Sequence, residues 1–322
     1  MKKSNRLAAF FVLAIAMSAG ALAQYPTKPI TMVVPVAAGG ATDVVGRIIA
    51  RELETRLKRP VIVTNNAGAG GIIGTDSVAR AAPDGYTLLF AYPGVVTVVP
   101  ALQPQLPYDP EKSLMPVNLL ARTTFVLSVH PGVKASNLRE FIALAKAEPG
   151  KLNYGSGGIG TTSHLAMELF KYEAGVNIVH VPFKGAGPAS NLLLAGGLSA
   201  SFENIATALP RFRNGELRSL GVSSPERSPL APDIPTVSEA GVKGFEVVSW
   251  FGVMLPAGTA REAFDRISEA LSSAIRTPEL RKRLTDMGLE PVGTDAETFR
   301  AQIASEIVKW RRVVKEANIT AQ

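Results

Sequence analysis

Along the chain, short runs of β-branched and aliphatic residues alternate with stretches in which apolar residues return every three or four positions. The first run, Ile30 to Val36, ends in the turn Ala37 to Asp43. After it, Val44, Val45, Ile48, Ile49, Leu53 and Leu57 keep helical spacing, with Thr42 or Asp43 placed to cap the helix. A second unit repeats the plan with a strand at Val61 to Thr64, a turn from Asn65 to Gly71 and a short helix ending before Pro83-Asp84-Gly85. A strand at Tyr86 to Ala91 follows. The pattern then restarts, with strands at Phe125 to His130, Lys151 to Tyr154, Ile178 to Pro182 and Leu198 to Phe202, and helices at Asn137 to Ala147 and Ser163 to Tyr172. Beyond a Pro-rich stretch, Trp250 to Leu255 reads as a strand. Two amphipathic helices close the chain, Arg261 to Ile275 and Glu297 to Ala317. Alternation of this kind predicts an α/β fold with mainly parallel sheets and a ligand crevice at the carboxyl ends of the strands.

The restart predicts two lobes, residues 24–122 with 248–322 as one and 123–247 as the other. The two crossings, near Arg122 and Val248, make a hinge, and Trp250 and Trp310 are expected in core or hinge packing. Ahead of them, Lys2, Lys3 and Arg6, the uncharged run Leu7 to Ala21 and the small-residue pattern Ala21-Leu22-Ala23 make residues 1–23 a secretory signal peptide. No later run reaches the roughly 20 apolar residues that a membrane span needs. Cysteine is absent, which removes disulfides, thiolate sites and a lipid-bearing anchor, so a free periplasmic monomer is expected. The net charge of +7 shrinks with the leader, and the remaining mild excess suits an anionic ligand. The Lys and Arg are scattered and make no nucleic-acid footprint.

Two Gly-rich turns lie between a strand and a helix: Ala38-Gly39-Gly40-Ala41-Thr42, and Gly155 to Gly160 running into Thr161-Thr162-Ser163. Helix starts expose unpaired N–H groups and the positive end of the macrodipole, and glycine lets an anion approach. Hydroxyls of Thr42, Ser156, Thr161 and Thr162 stand beside those amides, so each turn suits a carboxylate without an arginine. The same glycines and hydroxyls also suit tight turns and helix caps. Gly155 to Gly160 fits G-x-G-x-x-G, but no acidic residue is well placed about 20 positions on for a dinucleotide ribose. Ser156 lacks the first glycine of a hydrolase elbow, having Tyr154 there. His130, His164 and His180 have no metal-ligand spacing, and His164 at a helix start reads as structural. Asp43 and Glu203 do not form an acid–base pair, since Asp43 reads as a cap. Neither an enzyme nor a cofactor or metal is expected. Asn204, after the strand ending at Phe202, faces either a turn or the cleft.

Together these segments resemble one family. Tyr25-Pro26, Gly39-Gly40-x-Thr42-Asp43, Gly68-Ala69-Gly70-Gly71, Pro83-Asp84-Gly85-Tyr86, Tyr108-Asp109-Pro110, Ser156-x-Gly158-x-Gly160-Thr161, Ser163-His164-Leu165, His180-Val181-Pro182 and Trp250 occur in the order found in the Bug family, extracytoplasmic receptors of tripartite tricarboxylate transporters. The resemblance implies a type II periplasmic-binding-protein fold with two crossovers. It implies a small carboxylate ligand (a dicarboxylate, amino acid or aromatic acid) and a membrane permease as partner. It implies that Ala38, Gly39, Gly40 and Thr42 face Ser156, Gly160, Thr161 and Thr162 across the ligand, with Lys184, Gly185, Ala186 and Asn204 at the distal end. Ala38 stands where relatives have Pro, Thr64-Asn65-Asn66-Ala67 where Glu-Asn-Arg-Pro is usual, and Asn191 where Asp is common, so the ligand's distal group stays open. A receptor serving a signalling partner fits the same residues, and an exported enzyme is the remaining alternative.

Overall fold

A computed structural model describes residues 25–103, 105–183, 185–316 and 319; the expected leader and Lys184 lie outside the described residues. Strands β1 (Ile30–Val34), β2 (Val61–Asn65) and β3 (Thr87–Ala91) pair in parallel in the order β2-β1-β3. β1 is buried almost throughout because both faces are covered. Helix α1 (Ala41–Leu57) packs Val45, Ile48, Ile49 and Leu53 over one face, while Val44, expected on that apolar stripe, points outward and is 40% exposed. The short helices α2 (Ile72–Ala79) and α3 (Val99–Leu102) follow β2 and β3.

The sequence pattern placed one strand at Phe125 to His130; the structure has a 16-residue strand, β4 (Leu114–Val129). Its first part is buried on both faces, so it carries no alternation to read, and Pro116 breaks the run further. β4 pairs antiparallel with β9 (Val248–Pro256) from Leu114 to Thr124, and β9 in turn pairs with β3. From Phe125 onward β4 lies instead between β7 (Ala200–Asn204) and β8 (Arg218–Val222). β7 continues in parallel to β5 (Asn153–Ser156), and β5 to β6 (Val179–Pro182). One strand thus belongs to both halves of the sheet.

Helices α4 (Leu138–Ala147) and α5 (Thr162–Ala174) cover the second half. Phe141 and Phe170 pack there with the stacked pair Phe202 and Phe245. Asn137 caps α4 by accepting from the Glu140 amide at 3.0 Å. Four elements carry too little periodicity to be read from sequence. α6 (Ala186–Leu194) opens on Ala-Gly-Pro, α7 (Ile205–Arg213) contains Pro210, α8 (Val237–Ala240) has only four residues, and β10 (Glu290–Thr294) contains Pro291 and Gly293. After β9 come α9 (Arg261–Arg276), α10 (Pro278–Asp286) and α11 (Ala296–Glu316). α9 packs on the first core. α11 sends Phe299, Ile303 and Ile307 to Trp250, and Trp310 and Val313 to the second core. Between those groups, buried Glu306 accepts from Trp250 Nε1 (2.9 and 3.0 Å), Thr97 Oγ1 (3.1 Å) and Gln302 Nε2 (3.0 Å). Burial pushes its carboxyl above the usual range.

Candidate functional site

β1 delivers the chain into an exposed turn, and α1 starts at Ala41 with Gly40 as N-cap and no side-chain cap. Neither Thr42 nor Asp43 caps the helix as the sequence suggested, because the helix begins before both. Asp43 instead reaches back past the N-cap and accepts from the Gly39 amide at 2.8 Å. Gly39 has φ +90°, a conformation that side chains resist. The Asp43 carboxylate also accepts from Asn65 Nδ2 (2.8 Å) and Arg47 Nε (3.1 Å), and Arg47 Nη2 donates to Asn65 Oδ1 (2.8 Å). Burial alone would raise this carboxyl; hydrogen bonds from Arg47, Gly39 and Asn65 outweigh it and hold it below the usual range.

The same backbone device recurs at the end of β5. α5 starts at Thr162 with Thr161 as N-cap, again without a side-chain cap. Gly160, at φ +79°, donates its amide to His164 Nδ1 at 3.2 Å, four residues on as in the first turn. The Thr161 hydroxyl donates to Gly158 O (2.7 Å) and lies 3.1 Å from Ser163 Oγ, which accepts from the Gly157 amide (3.1 Å). Ser156 accepts from the Gly158 amide (3.1 Å) and shares a 2.7 Å hydrogen bond with His180 Nε2. The His180 ring stacks between His164 (4.4 Å) and Tyr154 (4.7 Å). Behind them Glu168 accepts from Tyr154 Oη (2.5 Å) and Lys171 Nζ (2.7 Å). Burial and the neighbouring His180 push His164 down to about 4, and burial lowers His180 too, so both rings are neutral at pH 7.

Both helix starts border one cavity of about 580 Å³ between the two halves of the sheet. Thr42 lies on one side and Gly160, Thr161 and Thr162 on the other; Ser249 and Phe251 of β9 also line it. Among the described residues that line it there is no Lys, Arg, Asp or Glu. Its first wall also holds Ala69, Gly70 and Tyr92, whose phenol burial pushes up to about 12, leaving it a hydrogen-bond donor.

The structure does not gather all the sequence candidates there. Ala38, Gly39 and Gly40 sit in the exposed turn at its margin, outside the lining. Ser156 is 1% exposed and turned toward His180. Ala186 and Asn204 line a second cavity of about 220 Å³ that also touches Gly157 and Ser163. Gly185, the N-cap of α6, donates its amide to Gly157 O at 3.0 Å. Asn204 caps α7 through Oδ1 and donates Nδ2 to Thr123 Oγ1 at 2.8 Å, so both ends of its amide are held by the protein. Tyr92, Ser249 and Phe251 escaped sequence reasoning. The strand ending at Ala91 gave no sign of where Tyr92 turns, and β9 meets the cavity only through its pairing with β3 and β4.

Among the described residues, no helix is long and apolar enough to cross a membrane, and no group of three or more His, Cys, Asp or Glu is placed to hold a metal. The fold is an α/β, two-lobed, periplasmic-binding-protein-like architecture with a curled sheet, consistent with type II, as structural relatives bear out. Rpa4515 of R. palustris, solved with adipate, superposes with a TM-score of 0.78 at 33% identity over 92% of this chain and 99% of its own. MatC (Rpa3494) from Rhodopseudomonas palustris, with bound malate, gives 0.74 at 33% identity over 90% and 100%. By sequence, protein BugT of Bordetella pertussis (strain Tohama I) is 38% identical over 293 residues, 91% of this chain and 90% of BugT. The family described as tripartite tricarboxylate transporter family receptor matches residues 45–319, and the chain belongs to it. That is a family of solute-binding receptors and not of catalysts.

Proposed function

We propose that the protein is a periplasmic receptor that takes a small carboxylate into the 580 Å³ cavity and delivers it to the permease of a tripartite tricarboxylate-type transporter. In this reading residues 24–122 with 248–322 form one lobe, residues 123–247 the other, and the cavity is the cleft between them. The supporting observation is that two helices, both without a side-chain cap, start at opposite walls of one cavity whose described lining residues include no charged side chain. Amide dipoles and hydroxyls then supply the counter-charge that an arginine supplies elsewhere. The two helix starts are unequal. α1 carries Asp43 in its first turn, whereas α5 carries no acid there. The carboxylate therefore sits closer to Thr161 and Thr162, with Thr42 and Tyr92 closing over it from the other lobe. The ligands of Rpa4515 and MatC, adipate and malate, make dicarboxylates of four to six carbons the first class to try.

The test is native mass spectrometry of the purified protein followed by titration calorimetry with succinate, malate, glutarate and adipate. One carboxylate bound per chain, with affinity reduced in Thr161→Ala and Thr162→Ala, supports the reading. A nucleotide or an altered product released on denaturation, or affinity indifferent to both substitutions, would sink it.

A further inference from the structure

The two turns at the cavity share one arrangement. In each, a glycine of positive φ stands two residues before the helix, and its amide is taken by the side chain four residues later: Gly39 by Asp43, Gly160 by His164. An aspartate at that place adds a negative charge to the first turn of its helix, which opposes an incoming anion. A neutral imidazole accepts the same hydrogen bond and adds none. We propose that His164 is a positioning residue of the binding site, holding the Gly160 amide as Asp43 holds that of Gly39 while keeping the α5 start free of negative charge.

The surroundings of the ring fit this role. An Nδ1 that accepts from Gly160 carries no proton, which leaves the hydrogen on Nε2. The stacked ring of His180 fixes the orientation of His164 and ties it to Ser156, so the strand end and the turn are held as one unit. The titratable groups facing the pair are Tyr154 from β5, and Glu168 and Lys171 from α5. Glu168 is already committed to Tyr154 and Lys171, so the acid nearest the ring is balanced by its own cation. Burial disfavours a charged ring in this place. Protonation on Nδ1 replaces the acceptor with a donor and expels the Gly160 amide.

The electrostatic half of this inference rests on the carboxylate-receptor reading; the positional half does not. Nuclear magnetic resonance of the whole secreted chain separates them. At pH 7, His164 is expected with Nδ1 unprotonated, and Gly160 with a protected amide. His164→Ala should speed exchange of that amide by about tenfold or more, while His164→Asn and His164→Asp, which both offer an oxygen acceptor, restore the protection. On acidification the wild type should lose the Gly160 hydrogen bond as His164 titrates, and His164→Asn should keep it. Calorimetry with adipate and malate supplies the second arm. For whichever acid binds, His164→Asn should stay within about threefold of wild type and His164→Asp should bind about tenfold more weakly or worse. Unchanged Gly160 protection in His164→Ala overturns the positional role, and wild-type affinity in His164→Asp overturns the electrostatic one. If neither acid binds the wild type, the reading of the ligand as a four- to six-carbon dicarboxylate fails and the exchange data still decide the place of His164.

Discussion

The β1–α1 turn and the β5–α5 turn present the same object, a helix start without a side-chain cap, but are built from different chemistry. The first is exposed, and one buried carboxylate bound to Arg47 and Asn65 secures it from beneath. The second is half-buried and knitted by hydroxyls and imidazoles with no formal charge on the ring that holds it. A charge-anchored turn can stay open to solvent because its anchor is strong. A turn anchored by neutral groups needs shelter, since water competes well with each of its bonds. The β5–α5 turn is thus the more sheltered of the two.

The largest effect is expected from Asp43→Ala, which strips acceptors from Gly39, Asn65 and Arg47 at once. It should cost about 3 kcal/mol in chemical denaturation. Ser163→Ala, which removes one neutral link, should cost about 1 kcal/mol by the same measurement.

Acid titration sharpens the contrast. His164 falls from 6.5 in the unfolded chain to about 4 in the fold, so the unfolded state binds the extra proton first. Its contribution is complete above pH 6.5 and declines as pH falls toward 4. Asp43 is lowered from 3.8, so its contribution is complete above 3.8 and is lost only below it. The β5–α5 turn should therefore yield first on acidification. Thermal melts from pH 7 to 4 should lose roughly 1–3 kcal/mol of stability through His164 in wild type, and less in His164→Asn.

A smaller effect comes from glycine. Gly39→Ala and Gly160→Ala each place a side chain at positive φ without an overlap (an added Cβ meets nothing within 4 Å at Gly39 and lies 3.6 Å from Leu102 Cδ1 at Gly160), so each should cost about 1 kcal/mol. Only the second should also weaken carboxylate binding several-fold, read by calorimetry. The smallest expected effect is the difference between Thr162→Val and Thr42→Val. Both lower affinity, Thr162→Val by about threefold more, because its helix start has no acid working against the ligand.

The first three strands and α1 were legible because a β-branched run and a 3.6-residue period each leave a plain mark. β4 was not, since a strand buried on both faces has no alternation and its Pro116 argues against a strand. The candidate cavity was legible in its loops and not in its walls. Thr42, Gly160, Thr161 and Thr162 reach the cavity because a Gly-rich turn between strand and helix must lie at the crevice. Ser156 lies at the end of a strand longer than the sequence pattern indicated. β5 runs two residues beyond Tyr154, which places Ser156 inside the strand opposite Pro182, with its hydroxyl on His180. His164, read as structural from its place at a helix start, is buried and stacked on His180. Its hydrogen bond to a glycine four residues earlier needed the turn's geometry to be seen.

β4 has one more consequence. Because a single strand supplies Leu120 and Ala121 to one core and Leu127 and Val129 to the other, neither core can melt without baring the middle of its neighbour's sheet. Heat should dismantle the molecule in one cooperative step despite its size. Any movement of one half of the sheet against the other then has to bend an unbroken ribbon, and not a slack tether.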